Sequence, residues 1–236
     1  MGETTEPGGA GGAGGPVVGV LGGSGGVGAS TFAAVLALTA GPSVLVDLDV
    51  CGGGIDVVLG VESVPGARWS GLEVAGGRLE PATLAAGLPH AGSCAVLAAD
   101  TAELDPDAVR QVLAAAAAAG AVVVDLPRAR CAERAAALLL CDLVVVLARA
   151  DVGGLVAAHA VVAELPELAV GVVVRRGRVQ PTQAAELIGA PLLGELGPLG
   201  AAQPLDPRRL PRSLVRVASG VLGGLRRPGA GMGAAS

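Results

Sequence analysis

The chain of 236 residues contains no lysine and no tyrosine, and it has one phenylalanine and one tryptophan. With so few aromatics, a packed interior has to be built from Val, Leu and Ala, and 52% of the residues are apolar, enough for a sizeable core. Cysteine is scarce too. Cys51, Cys94, Cys131 and Cys141 form no CxxC pair and show no zinc spacing with His90 or His159. They read as small buried thiols in a reducing cytosol. No apolar run approaches the ~20 residues of a membrane span, and the first residues lack a basic-then-apolar signal pattern, so the expected location is cytoplasmic.

Charge is unevenly placed. Through Val174 there are 7 Arg against 18 acids, and from Arg175 onwards 9 Arg against 3 acids, within a net charge of −5. A basic C-terminal third is compatible with DNA or lipid, but more often it marks solvated helix faces.

What is present is glycine, in pattern. Residues 1–15 read as a flexible Gly-rich leader, 16–226 as one domain and 227–236 as a flexible tail. Within the domain, near-continuous apolar runs at 16–21, 43–49, 93–99, 121–127, 142–148 and 168–174 read as buried strands. Helical segments at 29–40, 105–120, 131–140 and 152–164 lie between them, and another at 210–227 follows. The alternation predicts a doubly wound α/β domain with a mostly parallel sheet and helices on both faces. Ligands of such folds bind at the C-terminal strand ends, where this reading puts Asp47, Asp49, Asp125 and the loop 23–31.

That loop supports two readings. Gly23, Gly25 and Gly28 fit the GxGxxG dinucleotide fingerprint, and Asp47, 19 positions after Gly28, stands where a ribose-binding acid belongs. A nicotinamide-dependent oxidoreductase is therefore one expectation. Its weakness is the lack of Tyr and Lys, which leaves His90 and His159, in ordinary contexts, as acid or base. The other reading is a phosphate loop at a helix N-terminus, with Ser30 offering a hydroxyl to Mg²⁺. "VVVDLP" then ends in the magnesium-side acid Asp125, and "DLD" supplies Asp47 and Asp49 at one strand end.

The stretch "GGSGGVGAST" (22–31) resembles the deviant Walker A loop of the ParA/MinD group, usually KGGxGK[ST][ST]. "DLD" is similar to that group's switch-region acids, "VVVDLP" to its Walker B strand, and "APLLGELGPLGAAQ" (190–203) to the segment leading towards its base site. The nearest likeness is to the CpaE/TadZ branch and to the actinobacterial septum-site-determining proteins called Ssd. The resemblance implies a P-loop NTPase fold that binds ATP or ADP with Mg²⁺. Gly23, Ser24, Gly25, Gly26, Val27, Gly28, Ala29, Ser30 and Thr31 would hold the nucleotide, and Ser30, Asp49 and Asp125 the metal, directly or through water. Asp49 and Asp125 are the candidates for any catalytic role. It also implies an ATP-dependent homodimer, protein partners in division or in a Tad-type pilus or secretion machine, and, in some relatives, a membrane surface or nucleoid DNA.

The departures fall on charge. The family's two lysine positions hold Ser24 and Ala29, its base-side asparagine is Arg175, and "ARAD" (148–151) replaces the usual Thr/Pro-rich exit of the strand before it. A backbone nest needs glycine rather than a cation, so binding is expected to be weakened and hydrolysis to be slow or absent. Arg128 and Arg130 follow Asp125 closely and are the candidates to substitute, although arginines in this position are more often ordinary surface residues after a strand. The helix at 210–227 carries Leu214, Val217, Ala218, Val221, Leu222 and Leu225 at helical spacing. It reads as the last helix of the fold in preference to a membrane anchor.

Overall fold

The computed structural model describes residues 14–72, 79–101, 103–197 and 204–225. The first strand, β1 (Val17–Gly22), is buried along its whole length and runs into α1 (Ala29–Ala40). Then follow β2 (Ser43–Asp47), the short helices α2 (Ile55–Leu59) and α3 (Pro81–Gly87), and the strands β3 (His90–Ala91) and β4 (Cys94–Leu97). Three α/β units follow. They are α4 (Pro106–Ala119) with β5 (Ala121–Leu126), α5 (Ala132–Leu138) with β6 (Leu143–Arg149), and α6 (Val152–Val162) with β7 (Val170–Arg175). The chain continues through α7 (Pro181–Ile188), β8 (Leu192–Leu196) and α8 (Arg212–Leu225).

The eight strands form one sheet in the order β3-β4-β2-β5-β1-β6-β7-β8. The two-residue β3 pairs antiparallel with β4, and every other pairing is parallel. The all-apolar strands demand cover on both faces, and they have it. One core lies under α3–α7, with Leu84, Leu113, Ala137, Leu155 and Ile188 against Val44, Val122, Val144 and Val172. The other lies under α1, α2 and α8, with Phe32, Leu36, Ile55, Leu214 and Leu222 against Val20, Leu45, Val123 and Val145.

Local chemistry sets the helix starts. Asp105 accepts from Asp107 N at 2.9 Å, with Pro106 in the first turn of α4. Asp151 accepts from Gly154 N at 2.8 Å to cap α6. The expected strands and helices appear within a few residues of their predicted limits. The short α2, α3 and α7 and the strands β3 and β8 were not predicted. The apolar stripe of α8 packs on α1 and β8, and its Leu214, Val217, Ala218, Val221 and Leu222 are buried. This is the last-helix reading. Among the described residues no helix is long and apolar enough to cross a membrane. The leader through residue 13, the tail from residue 226 and the end of the 190–203 segment lie outside the described residues.

The thiols differ from expectation. Cys94 is buried, Cys131 and Cys141 are half-buried and Cys51 is exposed, all of them free. Burial pushes the Cys94 thiol up to about 11 and the Cys141 thiol up to about 12, which leaves both unreactive near neutrality.

Candidate functional site

β1 ends in the middle of the sheet, and the chain turns through residues 23–28 before α1 begins. Gly26 (φ 65°) and Gly28 (φ 93°) adopt the left-handed conformation that only glycine takes at little cost. Turns of this kind gather backbone N–H groups into an anion-binding concavity, and the first amides of α1, which have no intrahelical partner, extend it. Val27 anchors the loop from below at 1% exposure. From the far side, Arg175 at the end of β7 donates from Nη1 to the carbonyls of Val27 (3.2 Å) and Gly26 (3.4 Å).

Gly23 serves packing. Its N–H donates to Leu147 O at 2.8 Å, and a Cβ there would lie 2.9 Å from Ala158 Cβ and 3.1 Å from Leu147 O. Neither the α6 backbone nor β6 can yield easily. Gly23→Ala is therefore expected to lower the melting temperature by about 5 °C, the effect of ~1–3 kcal/mol of overpacking. Differential scanning calorimetry reads it directly.

Two acids meet beside the loop. Asp47 and Asp125 are register partners on β2 and β5, and both are buried. Desolvation pushes Asp125 up to about 8. A hydrogen bond from the Ser30 side chain opposes the rise, and the nearby charges of Asp47 and Asp49 add to it. Desolvation also pushes Asp47 up to about 6, against hydrogen bonds that favour its charged form. Its two oxygens accept from Asp49 N (2.9 Å) and Ile55 N (3.1 Å), and its carbonyl accepts from the Trp69 indole at 2.8 Å. Asp47 is thereby committed to holding the 48–55 loop in place.

A cleft of about 420 Å³ opens over this corner. Of the sequence-predicted residues, Ser24, Gly25, Gly26, Val27, Gly28, Ala29, Ser30, Thr31, Asp49 and Asp125 line it; Gly23 does not. Cys51, Leu126, Arg128 and Ala129 line it too. The Ser24 hydroxyl is buried without a hydrogen-bond partner, an orphan that a water or a ligand atom in the cleft would satisfy. His90 and His159 lie elsewhere, each bonded at 3.0 Å to a backbone carbonyl, of Ala85 and Ile188. Arg130 is directed away to Glu164, at 2.5 Å.

These features suit phosphate. Mg²⁺ commonly takes one or two carboxylates together with substrate phosphates, in place of an all-protein cage. Among the described residues no group of three or more His, Cys, Asp or Glu could hold a metal by itself. Ser30, Asp49 and Asp125 fit the shared arrangement.

The strand order decides between the two readings of the glycine loop. In the dinucleotide fold the first two strands are neighbours. Here β5 is inserted between β1 and β2, so Asp125, not Asp47, ends the strand next to the loop. With Asp47 also buried and bonded to the 48–55 loop, the oxidoreductase expectation fails on topology and on chemistry.

Solved structures agree. The protein superposes on a ParA family ATPase from Chlorobium tepidum TLS with a TM-score of 0.68, covering 91% of this chain and 93% of that one at 19% identity. The MinD cell division protein of Aquifex aeolicus gives a TM-score of 0.67, covering 88% and 97% at 19% identity. The fold is that of the ParA/MinD ATPases. A third structure with this fold, the septum site-determining protein MinD of Pyrococcus horikoshii OT3, was solved in complex with Mg-ADP; its TM-score is 0.62, covering 90% and 99% at 17% identity.

In sequence, the chain is 37% identical over 221 residues to the uncharacterized protein Rv3660c of Mycobacterium tuberculosis, covering 86% of this chain and 62% of that protein. The same figures hold for the uncharacterized protein MT3760 of another strain. The chain thus spans less than two thirds of the length of the curated relatives it matches. No protein-family model matches it.

Within the ParA/MinD fold, sequence reasoning missed Arg175 as a brace of the loop, along with the cleft-lining Cys51, Leu126 and Ala129. The position of Arg175 two strands away from β1 becomes visible only once the strand order is known.

Proposed function

We propose that the protein is a CpaE/Ssd-like spatial regulator whose domain, residues 16–226, binds ATP or ADP with Mg²⁺ through a lysine-free loop and turns it over very slowly or not at all. The observation that carries this reading is the loop itself. Its left-handed glycines and open helix start are intact, while both lysine positions hold small neutral residues, Ser24 and Ala29. Residues 24–31 would hold the nucleotide. Ser30, Asp49 and Asp125 would hold Mg²⁺, which when bound neutralises phosphate charge. Losing one charge-assisted contact costs roughly 1.5–3 kcal/mol, or one to two decades of affinity, so binding survives. Hydrolysis depends almost wholly on charge stabilisation, and the loss of a cation there costs about a thousandfold or more.

Nucleotide-dependent homodimerisation and contact with proteins of the division septum, or of a Tad-type pilus or secretion machine, would convert binding into position. Among the fold neighbours, the Aquifex aeolicus MinD structure in complex with MinC supports the idea of a partner protein. Membrane and nucleoid-DNA roles are weaker, because the apolar stripe of α8 is buried, Arg175 braces the loop and Arg176 pairs with Glu195 at 2.7 Å.

A thermal-shift panel tests the reading. ATP and ADP with Mg²⁺ should stabilise the protein and NAD should not. Phosphate release should stay below about one turnover per minute. Faster release that Asp125→Ala abolishes would replace this reading with an active MinD/ParA-type ATPase.

A further inference from the structure

The arginines near the loop have different surroundings. Arg130 is engaged by Glu164 and does not line the cleft. Arg175 is bonded to loop carbonyls. Arg128 is exposed, lines the cleft beside Asp125, and brings Nη1 to 3.2 Å from the position a Cβ on Gly25 would occupy. Among the described residues no acid pairs with it.

The main chain beneath Arg128 is fixed. Arg134, 4% exposed, donates from Nη1 to the Arg128 carbonyl at 2.8 Å and from Nη2 to Glu164 at 3.3 Å. A buried guanidinium is costly unless paired and fully bonded. This one is paired with Glu164 and bonded to the Arg128 carbonyl, and so it ties down the exit of β5. The result is an anchored backbone presenting an unpaired cation near Gly25, in the cleft that Ser24, with its orphaned hydroxyl, also lines.

We propose that Arg128 supplies the cationic phosphate contact that the residues at the two lysine positions, Ser24 and Ala29, do not. The proposal rests on the nucleotide reading above and specifies which side chain neutralises the polyphosphate. A guanidinium suits the task, because its planar fork can bond two phosphate oxygens at once.

Titration of the full chain with a fluorescent ATP analogue and with ADP, in the presence of Mg²⁺, tests it. Arg128→Ala and Arg128→Gln should each weaken binding about tenfold or more. Arg128→Lys should lose less. Arg130→Ala should bind as the wild type does. Adding Ala29→Lys to Arg128→Ala should bring affinity back to within about threefold of the wild type. If Arg128→Ala and Arg128→Gln bind like the wild type, the role of Arg128 is overturned and the nucleotide reading stands. If neither the wild type nor Ala29→Lys binds nucleotide, both are overturned.

Discussion

Asp125→Asn should raise the melting temperature of the nucleotide-free protein by at least ~5 °C above pH 8, with a gain that shrinks towards zero near pH 4. The Asp125 carboxyl titrates near 8 in the fold, because burial penalises its charge and Asp47 and Asp49 repel it. In the unfolded chain it titrates near the ordinary carboxylate value of ~4. Between these values the folded state holds a proton that the unfolded state has released. Stability from this group is therefore full below about pH 4, falls as pH rises, and is lost by about pH 8. Asparagine carries no such charge and removes the slope. Burying a poorly compensated polar group costs ~1–3 kcal/mol and a charge costs more, so in a chain of this length the shift is several degrees at the least. Calorimetry of both proteins from pH 4.5 to 9 measures the difference. Parallel curves would mean that Asp125 is solvated and ordinary.

The same substitution should cost function. Mg²⁺ needs the ionised carboxylate, so at pH 8 the ability of Mg²⁺ to tighten ATP binding should be largely lost in Asp125→Asn. A residue whose removal stabilises the empty protein while weakening its ligand is one retained for a site.

Ala29→Lys should tighten ATP binding about tenfold, the worth of one charge-assisted hydrogen bond. Ala29 is the first residue of α1 and lines the cleft, so a lysine stem there emerges over the anion nest. The backbone is already shaped by Gly26 and Gly28, so the substitution adds charge without demanding a new loop conformation. Turnover should remain slow, because the position of Ser24 still lacks its cation. The measurement is the fluorescent-nucleotide titration. Equal affinity before and after would mean that the loop does not receive a polyphosphate.

Much of the fold was legible in the sequence because its signals are local. The runs "VVGVL", "SVLVD" and "LVVVLA" have no polar alternation, and a strand without it must be covered on both faces. Gly41 and Pro42 stop α1, and Asp105 and Pro106 start α4. The short α2, α3 and α7 have too few turns to show a period. β8 carries Gly194 and Glu195 where an apolar run would be expected, and its register against β7 shifts.

The sequence alone determined the alternation of strand and helix, the glycine loop at the first helix and the absence of lysine from it, since each is a property of neighbouring residues. Local pattern by itself could not separate the acids, because Asp47 and Asp125 both lie at the ends of apolar strands, and only the phosphate-loop reading and the family resemblance pointed to Asp125 for the metal. The insertion of β5 between β1 and β2 made that assignment, setting Asp125 beside the loop and leaving Asp47 to hold the 48–55 segment. Only tertiary structure separated the arginines in the same way. Arg128 and Arg130 are two residues apart in the chain, yet one lines the cleft and the other reaches Glu164 in the turn after α6. Strand order and ion pairing join residues far apart in sequence, and no local pattern encodes which distant partner a side chain meets.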